Sequence, residues 1–161
     1  MYSDGGITSM LDTLIPLTVL ILFMFLLLYL LHAVGLYKMG KTVGAERSWL
    51  AFVPVANLYV MGKIVKEVSI AGITLTKLEF VLPAVTVTGI VLSQLPAIGF
   101  LAGAAAGVFY YIVLYNLYKN FRPASAAPFI IVSILLGFMT SIFVFIMRND
   151  IPVEQHVKMQ I

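Results

Sequence analysis

Between Gly99 and Tyr118 the chain reads GFLAGAAAGVFYYIVLYNLY, an apolar run with glycine at every fourth position: Gly99, Gly103 and Gly107. At about 3.6 residues per turn, that spacing puts the three glycines on one helix face and leaves the face without side chains. Backbones approach closely across such a face where lipid removes the hydrophobic drive for helix association. Counted by fours, the same stripe continues into Tyr111 and Tyr115, with Tyr118 close behind. The pattern predicts a membrane helix that packs tightly through its smooth half and anchors at an interface through its tyrosines. The alternative reading of the aromatic half is a substrate surface lined by phenolic hydroxyls.

Composition supports the membrane setting. Of 161 residues, 61% are hydrophobic and 11% charged, with a mean hydropathy of +1.06. Soluble domains are about half apolar and about a quarter charged, so a soluble fold is excluded. The length allows one domain with room for about four helices of ~20 residues. The expected fold is therefore all-α, a polytopic membrane helix bundle forming a single integral domain over 1–161. The net charge is +3 and the pI about 9.2. The basic residues flank the hydrophobic segments, where they meet anionic headgroups and set topology. No polar domain is left to bind nucleic acid. The absence of cysteine rules out disulfides, thiolate nucleophiles and thiolate metal sites. Met1 to Leu14 contains Asp4 and Asp12 and no lysine or arginine. A cleavable signal needs a basic start, so the first apolar run reads as a retained helix.

Four spans are expected, at about 14–36, 78–95, 98–118 and 129–147. Pro16 falls in the opening turn of the first, where a missing N–H is harmless. Thr76-Lys77-Leu78-Glu79 has the form of a capping box at the start of the second, and Pro83 predicts a kink there. The stretch 63–77 reads as a loop or surface segment. The run 49–62 is too short to cross and contains Pro54 and Asn57. It is expected to re-enter or lie at the interface: Trp49 anchors it, Pro54 breaks it, Asn57 caps the break, and Tyr59 with Lys63 returns the chain to the surface. Lys38, Lys41, Arg47, Lys63, Lys66, Lys77, Lys119 and Arg122 then share one side, with Arg148 and Lys158 opposite. The positive-inside rule places both termini outside.

The segment WLAFVPVANLYVMGKI from Trp49 to Ile64, preceded by basic Lys38, Lys41 and Arg47, resembles a motif of small uncharacterised prokaryotic multi-spanning membrane proteins. Ser48 stands where that pattern has a proline or another turn former. The resemblance implies a bacterial or archaeal cytoplasmic membrane and no particular activity.

Candidate polar groups are few. His32, Gln94 and Asn116 sit in or near apolar spans, and with Asn57 they are the groups that could line a polar pathway. For Asn116 an interhelical hydrogen bond is the expectation, and for His32 a satisfied place near the interface. His32 and His156 are the only histidines. Neither a catalytic group nor a metal or cofactor site is expected. No Asp or Glu lies inside the predicted spans, Glu79 falling only at a border, and Ser93, Ser133 and Ser141 have no base placed by sequence. The leading expectation is a non-enzymatic subunit or accessory factor. It would pack through Gly99, Gly103, Gly107, Tyr111 and Tyr115 against a second copy or other membrane subunits within the lipid bilayer. The alternative is a small-solute or ion transporter or channel that uses the broken segment.

Overall fold

Residues 5–70 and 72–154 are described by the computed structural model, and His156 and Lys158 lie outside them. The chain is mostly helical. Helix α1 (Gly5–Thr42) is followed by a 3₁₀ helix at Ser48–Phe52 and by α2 (Ala56–Val65). A small antiparallel hairpin, β1 (Val68–Ile70) and β2 (Ile73–Leu75), pairs Ser69 with Thr74. Then come α3 (Leu78–Leu92), α4 (Gly99–Phe121), α5 (Ala126–Leu135) and α6 (Met139–Ile146), with 3₁₀ turns at Pro123–Ser125 and Met147–Asn149. Two helices, Leu14–Thr42 and Gly99–Phe121, are long and apolar enough to cross a membrane. Among the described residues, the other two expected spans contain only shorter helices.

Several expectations are corrected. The run 129–147 is two helices that double back, so that Arg122 and Asp150 at its flanks form an ion pair. Inside the hairpin, Phe129 and Phe143 stack with centroids 4.2 Å apart. Arg148 therefore lies at the same end as Lys119 and Arg122, not opposite them. The second span ends at Leu92, giving α3 15 residues, about 22 Å. The capping box does not form: the N-cap of α3 is Lys77 in the left-handed region, and Glu79 pairs with Lys63 at 3.4 Å. Pro83 sits within a continuous α3. Pro16 is well inside α1, which begins at Gly5. The stretch 63–77 contains the β-hairpin.

The core occupies one end of the molecule. Leu36 and Met39 of α1 meet Val60, Met61 and Ile64 of α2, Leu78 and Leu82 of α3, Leu114, Leu117 and Tyr118 of α4, and Val144 and Met147 from the last hairpin. Close backbone approach at two glycines makes this possible. A Cβ on Gly35 would lie 2.7 Å from the Val144 carbonyl oxygen, and one on Gly62 would collide with the Leu78 carbonyl. Away from this end, by contrast, α1 is exposed at every position from Leu14 to Leu27.

Candidate functional site

Charge collects where the core is. Lys63 pairs with Glu79, Lys66 with Glu154 at 3.1 Å, and Arg122 with Asp150 through both carboxylate oxygens. The Asp150 carboxylate raises the Arg122 guanidinium above its ordinary pKa. Two cavities open beside these pairs. One of about 770 Å³ is lined by Val43, Lys66, Lys119, Phe121 and Pro152 among others. The other, about 410 Å³, runs from Gly44 to Lys63, Lys77 and Glu79. These contacts bring Lys63, Lys66, Lys77, Lys119 and Arg122 to one end, and by their places in the chain Lys38, Lys41, Arg47 and Arg148 lie at the same end, nine of the ten basic residues. Lys158, the tenth, lies outside the described residues.

Three hairpins start and finish at this basic end. The first is 48–65. Ser48 and Val60 both abut Gly40, whose missing Cβ would lie 2.8 Å from Ser48 Oγ and 3.1 Å from Val60 Cγ1. Its turn falls at Val53–Val55, around Pro54, with Val55 at φ +67°. Trp49 and Pro54 are exposed, Tyr59 stands edge-on to Phe80, and the Tyr29 hydroxyl donates to the Phe52 carbonyl at 2.9 Å. The second hairpin is α3–α4, turning at 93–98, and the third is α5–α6, turning at 136–138.

The turn of the third hairpin, Leu136-Gly137-Phe138, is apolar, and the one near Pro54 is Val-Pro-Val. Leu135 is 75% exposed beside one of them. Gly137 and Pro54 supply the turn chemistry, and the residues on either side of them are apolar. Several backbone N–H groups at the turns bond within the chain. Leu136 N–H donates to Val132, Met139 to Leu136, Asn57 to Val53, Leu58 to Val55 and Gly99 to Leu95. The 93–98 turn differs in carrying Ser93 and Gln94, both bonded to the Ile90 carbonyl.

The glycine ladder closes on the rest of the chain at one end only. Gly99 closes on the Ser93 carbonyl at the turn, Gly103 has Ser93 Cβ at 3.5 Å, and Gly107 has nothing within 4 Å of its missing Cβ. The close α3–α4 contact is Gly89 against Ala106, with the Ala102 carbonyl oxygen 3.5 Å away. Tyr111 is half-buried and Tyr115 exposed, and the rings of Tyr110 and Tyr111 meet edge-on.

The polar residues stay apart. Asn116 donates to the Ile112 carbonyl of its own helix at 2.9 Å, which corrects the expected interhelical bond. A helix-backbone acceptor one turn away satisfies the amide without needing a neighbour. Gln94 sits at the far turn and His32 is buried in α1; Asn57 lies in the first turn of α2, whose N-cap is Val55 with no side-chain cap bond, so Asn57 does not cap the break as expected. Neither cavity at the basic end is lined by any of them.

What the sequence reading missed is a set of hydroxyls. Tyr118, Ser133 and Thr140 are buried, with Tyr118 Oη 2.9 Å from Ser133 Oγ, and the Thr140 side chain reaches the same phenol. Only the apolar neighbourhood of Ser133 and Thr140 hinted that each needed a polar partner. Among the described residues no three His, Asp or Glu side chains gather as a metal site would.

Compared with known proteins, the chain matches no family model, no curated protein and no solved structure.

Proposed function

We propose that this chain is a non-enzymatic integral membrane protein, a subunit or accessory factor that assembles with itself or with a larger membrane complex. Its setting is a prokaryotic cytoplasmic membrane with the basic end facing the cytoplasm, in keeping with the positive-inside rule for nine basic residues at one end. In this reading α1 crosses the bilayer, and the α3–α4 hairpin reaches the opposite interface with Ser93 and Gln94. The hairpins 48–65 and 123–149 occupy the cytoplasmic half. Segment 5–14 then lies outside and residue 154 inside. The Arg122–Asp150 pair supports this in place of two external termini.

One observation carries the assembly reading. Gly107 presents a helix face with nothing within 4 Å, in an apolar stretch whose neighbouring glycine, Gly89, is already matched by Ala106. A bare backbone in lipid gains by meeting another backbone. The test is Gly107→Leu. The site is open within the chain, so the variant keeps its own fold, and its helix content and melting in detergent stay unchanged. Cross-linking in membranes and native mass in detergent are expected to show a smaller assembly. An assembly of unchanged size overturns the proposal.

A further inference from the structure

We propose that the chain is a leaflet-asymmetric wedge that favours, and at high density imposes, a bilayer curved with its basic face convex. The inference rests on the membrane reading above and adds to it a preferred partner, a lipid surface of a given curvature.

The argument is one of cross-section. In the half of the molecule next to the basic end, seven helical segments lie side by side: the end of α1, the 48–52 helix, α2, the start of α3, the end of α4, α5 and α6. The hydrocarbon layer is about 30 Å thick, so one leaflet takes about 15 Å of it. With 10 and 8 residues, α5 and α6 are about 15 and 12 Å long, one leaflet deep. The 48–65 hairpin turns at a similar depth, since the Phe52 carbonyl meets the hydroxyl of Tyr29, nine residues up α1 from Lys38, about 13 Å along the helix. Beyond that level only α1, α3 and α4 continue. Each helix occupies a disc about 10 Å across, so the protein displaces more than twice as much lipid from one leaflet as from the other. The exposed apolar tips at Val53–Val55 and Leu135–Phe138 mark where the wide half stops.

An inclusion that widens one leaflet relieves its strain by bending the sheet toward the narrow side. Assembly through Gly107 adds to the effect. Gly107 is on the far half of α4, so two copies meeting there join at their narrow ends, and their wide ends force a tilt between them.

The test uses the full chain in vesicles of phosphatidylethanolamine and phosphatidylglycerol, extruded to a range of diameters. The chain has no cysteine and Glu46 is exposed at the basic end, so Glu46→Cys accepts one dye. A membrane-impermeant quencher then separates molecules with the basic end outward from those with it inward. Dye per lipid area, read vesicle by vesicle, is expected to rise several-fold on the smallest vesicles for outward molecules and to fall for inward ones. A density independent of diameter, or the reverse dependence, overturns the wedge. Alkaline carbonate extraction is run in parallel. Protein retained after carbonate but indifferent to diameter sinks the wedge alone, and protein stripped by carbonate sinks the membrane reading together with it.

Discussion

Gly62 and Gly107 are both helical glycines in apolar stretches, yet a Cβ on the first would collide with the Leu78 carbonyl and a Cβ on the second would meet nothing. Gly62 belongs to the basic half, where α2 lies against the start of α3 and Met61, Ile64, Leu78 and Leu82 are all buried. Gly107 belongs to the far half, where α1 is bare from Leu14 to Leu27 and Phe100 is 87% exposed. The same composition therefore produces a packed body at one end and, at the other, a bare α1 beside the α3–α4 pair. What differs is the number of elements available: short hairpins fill the space around α1 near its charged end and stop halfway along it. Stability resides in the half with more segments, and the half with fewer is free to meet lipid or another chain.

The largest expected effect tests that division directly. Gly62→Leu forces backbone away from backbone, and overpacking costs about 1–3 kcal/mol even where side chains can give way. A loss at or above the top of that range is expected in thermal melts in detergent, with new trypsin cleavage at Lys63 and Lys66 as α2 lifts from α3. The identical substitution at Gly107 is expected to leave the melting temperature alone. Equal losses at the two glycines would erase the distinction between the two ends.

Those two glycines also show what a sequence can and cannot display. The ladder at Gly99, Gly103 and Gly107 announces a smooth helix face by its spacing, but spacing carries no information on which neighbour covers the face. Gly35, Gly62 and Gly89 belong to no such ladder, yet a Cβ on any of them would meet a neighbouring element too closely, just as one on Gly99 would meet the Ser93 carbonyl. Likewise 129–147 reads as one span because its hydropathy is continuous. The only turn signal at Leu136–Phe138 is the single Gly137, which an apolar run can carry inside a helix. The information that the run doubles back lies in Arg122 and Asp150, 28 residues apart, whose pairing is a tertiary fact. The capping box failed for a related reason: Glu79 had a second suitor, Lys63, brought close by the turn of α2 onto α3. The break beside Pro54 and the long helix leading to Lys38 were the more legible parts, because each rests on local chemistry.

A middle-sized effect is expected from the hydroxyl set inside the body. Tyr118→Phe removes the partner of Ser133, a residue with no exposed surface. An unsatisfied buried hydroxyl costs about 1–3 kcal/mol in water-soluble proteins, whereas hydrogen bonds between membrane helices average about 0.6 kcal/mol. A double-mutant cycle of Tyr118→Phe with Ser133→Ala is expected to give a coupling between those figures, near 1 kcal/mol. The double variant should melt below Ser133→Ala alone by what the Thr140 contact to the phenol contributes. A coupling of zero would mean that ring packing among Tyr118, Phe129 and Phe143 holds the hairpin without the hydroxyls.

The smallest effect is expected where the contact looks strongest on paper. Arg122 and Asp150 form a two-pronged pair, but their side chains are 37% and 24% exposed. Water and salt screen such pairs, and exposed ion pairs contribute about 0.2–1 kcal/mol. Asp150→Ala is expected to lower stability by less than about 1 kcal/mol, and the exchange Arg122→Asp with Asp150→Arg to restore most of it, with the difference shrinking in high salt. The pair's role is to keep the two ends of the α5–α6 hairpin on one side, a constraint that apolar packing reinforces through Ala126, Val144 and Met147, all buried. A loss of several kcal/mol on removing Asp150 would reverse that order. The basic half would then be held by its charges, and the contrast with the far half would reflect electrostatics instead of the number of helices within reach.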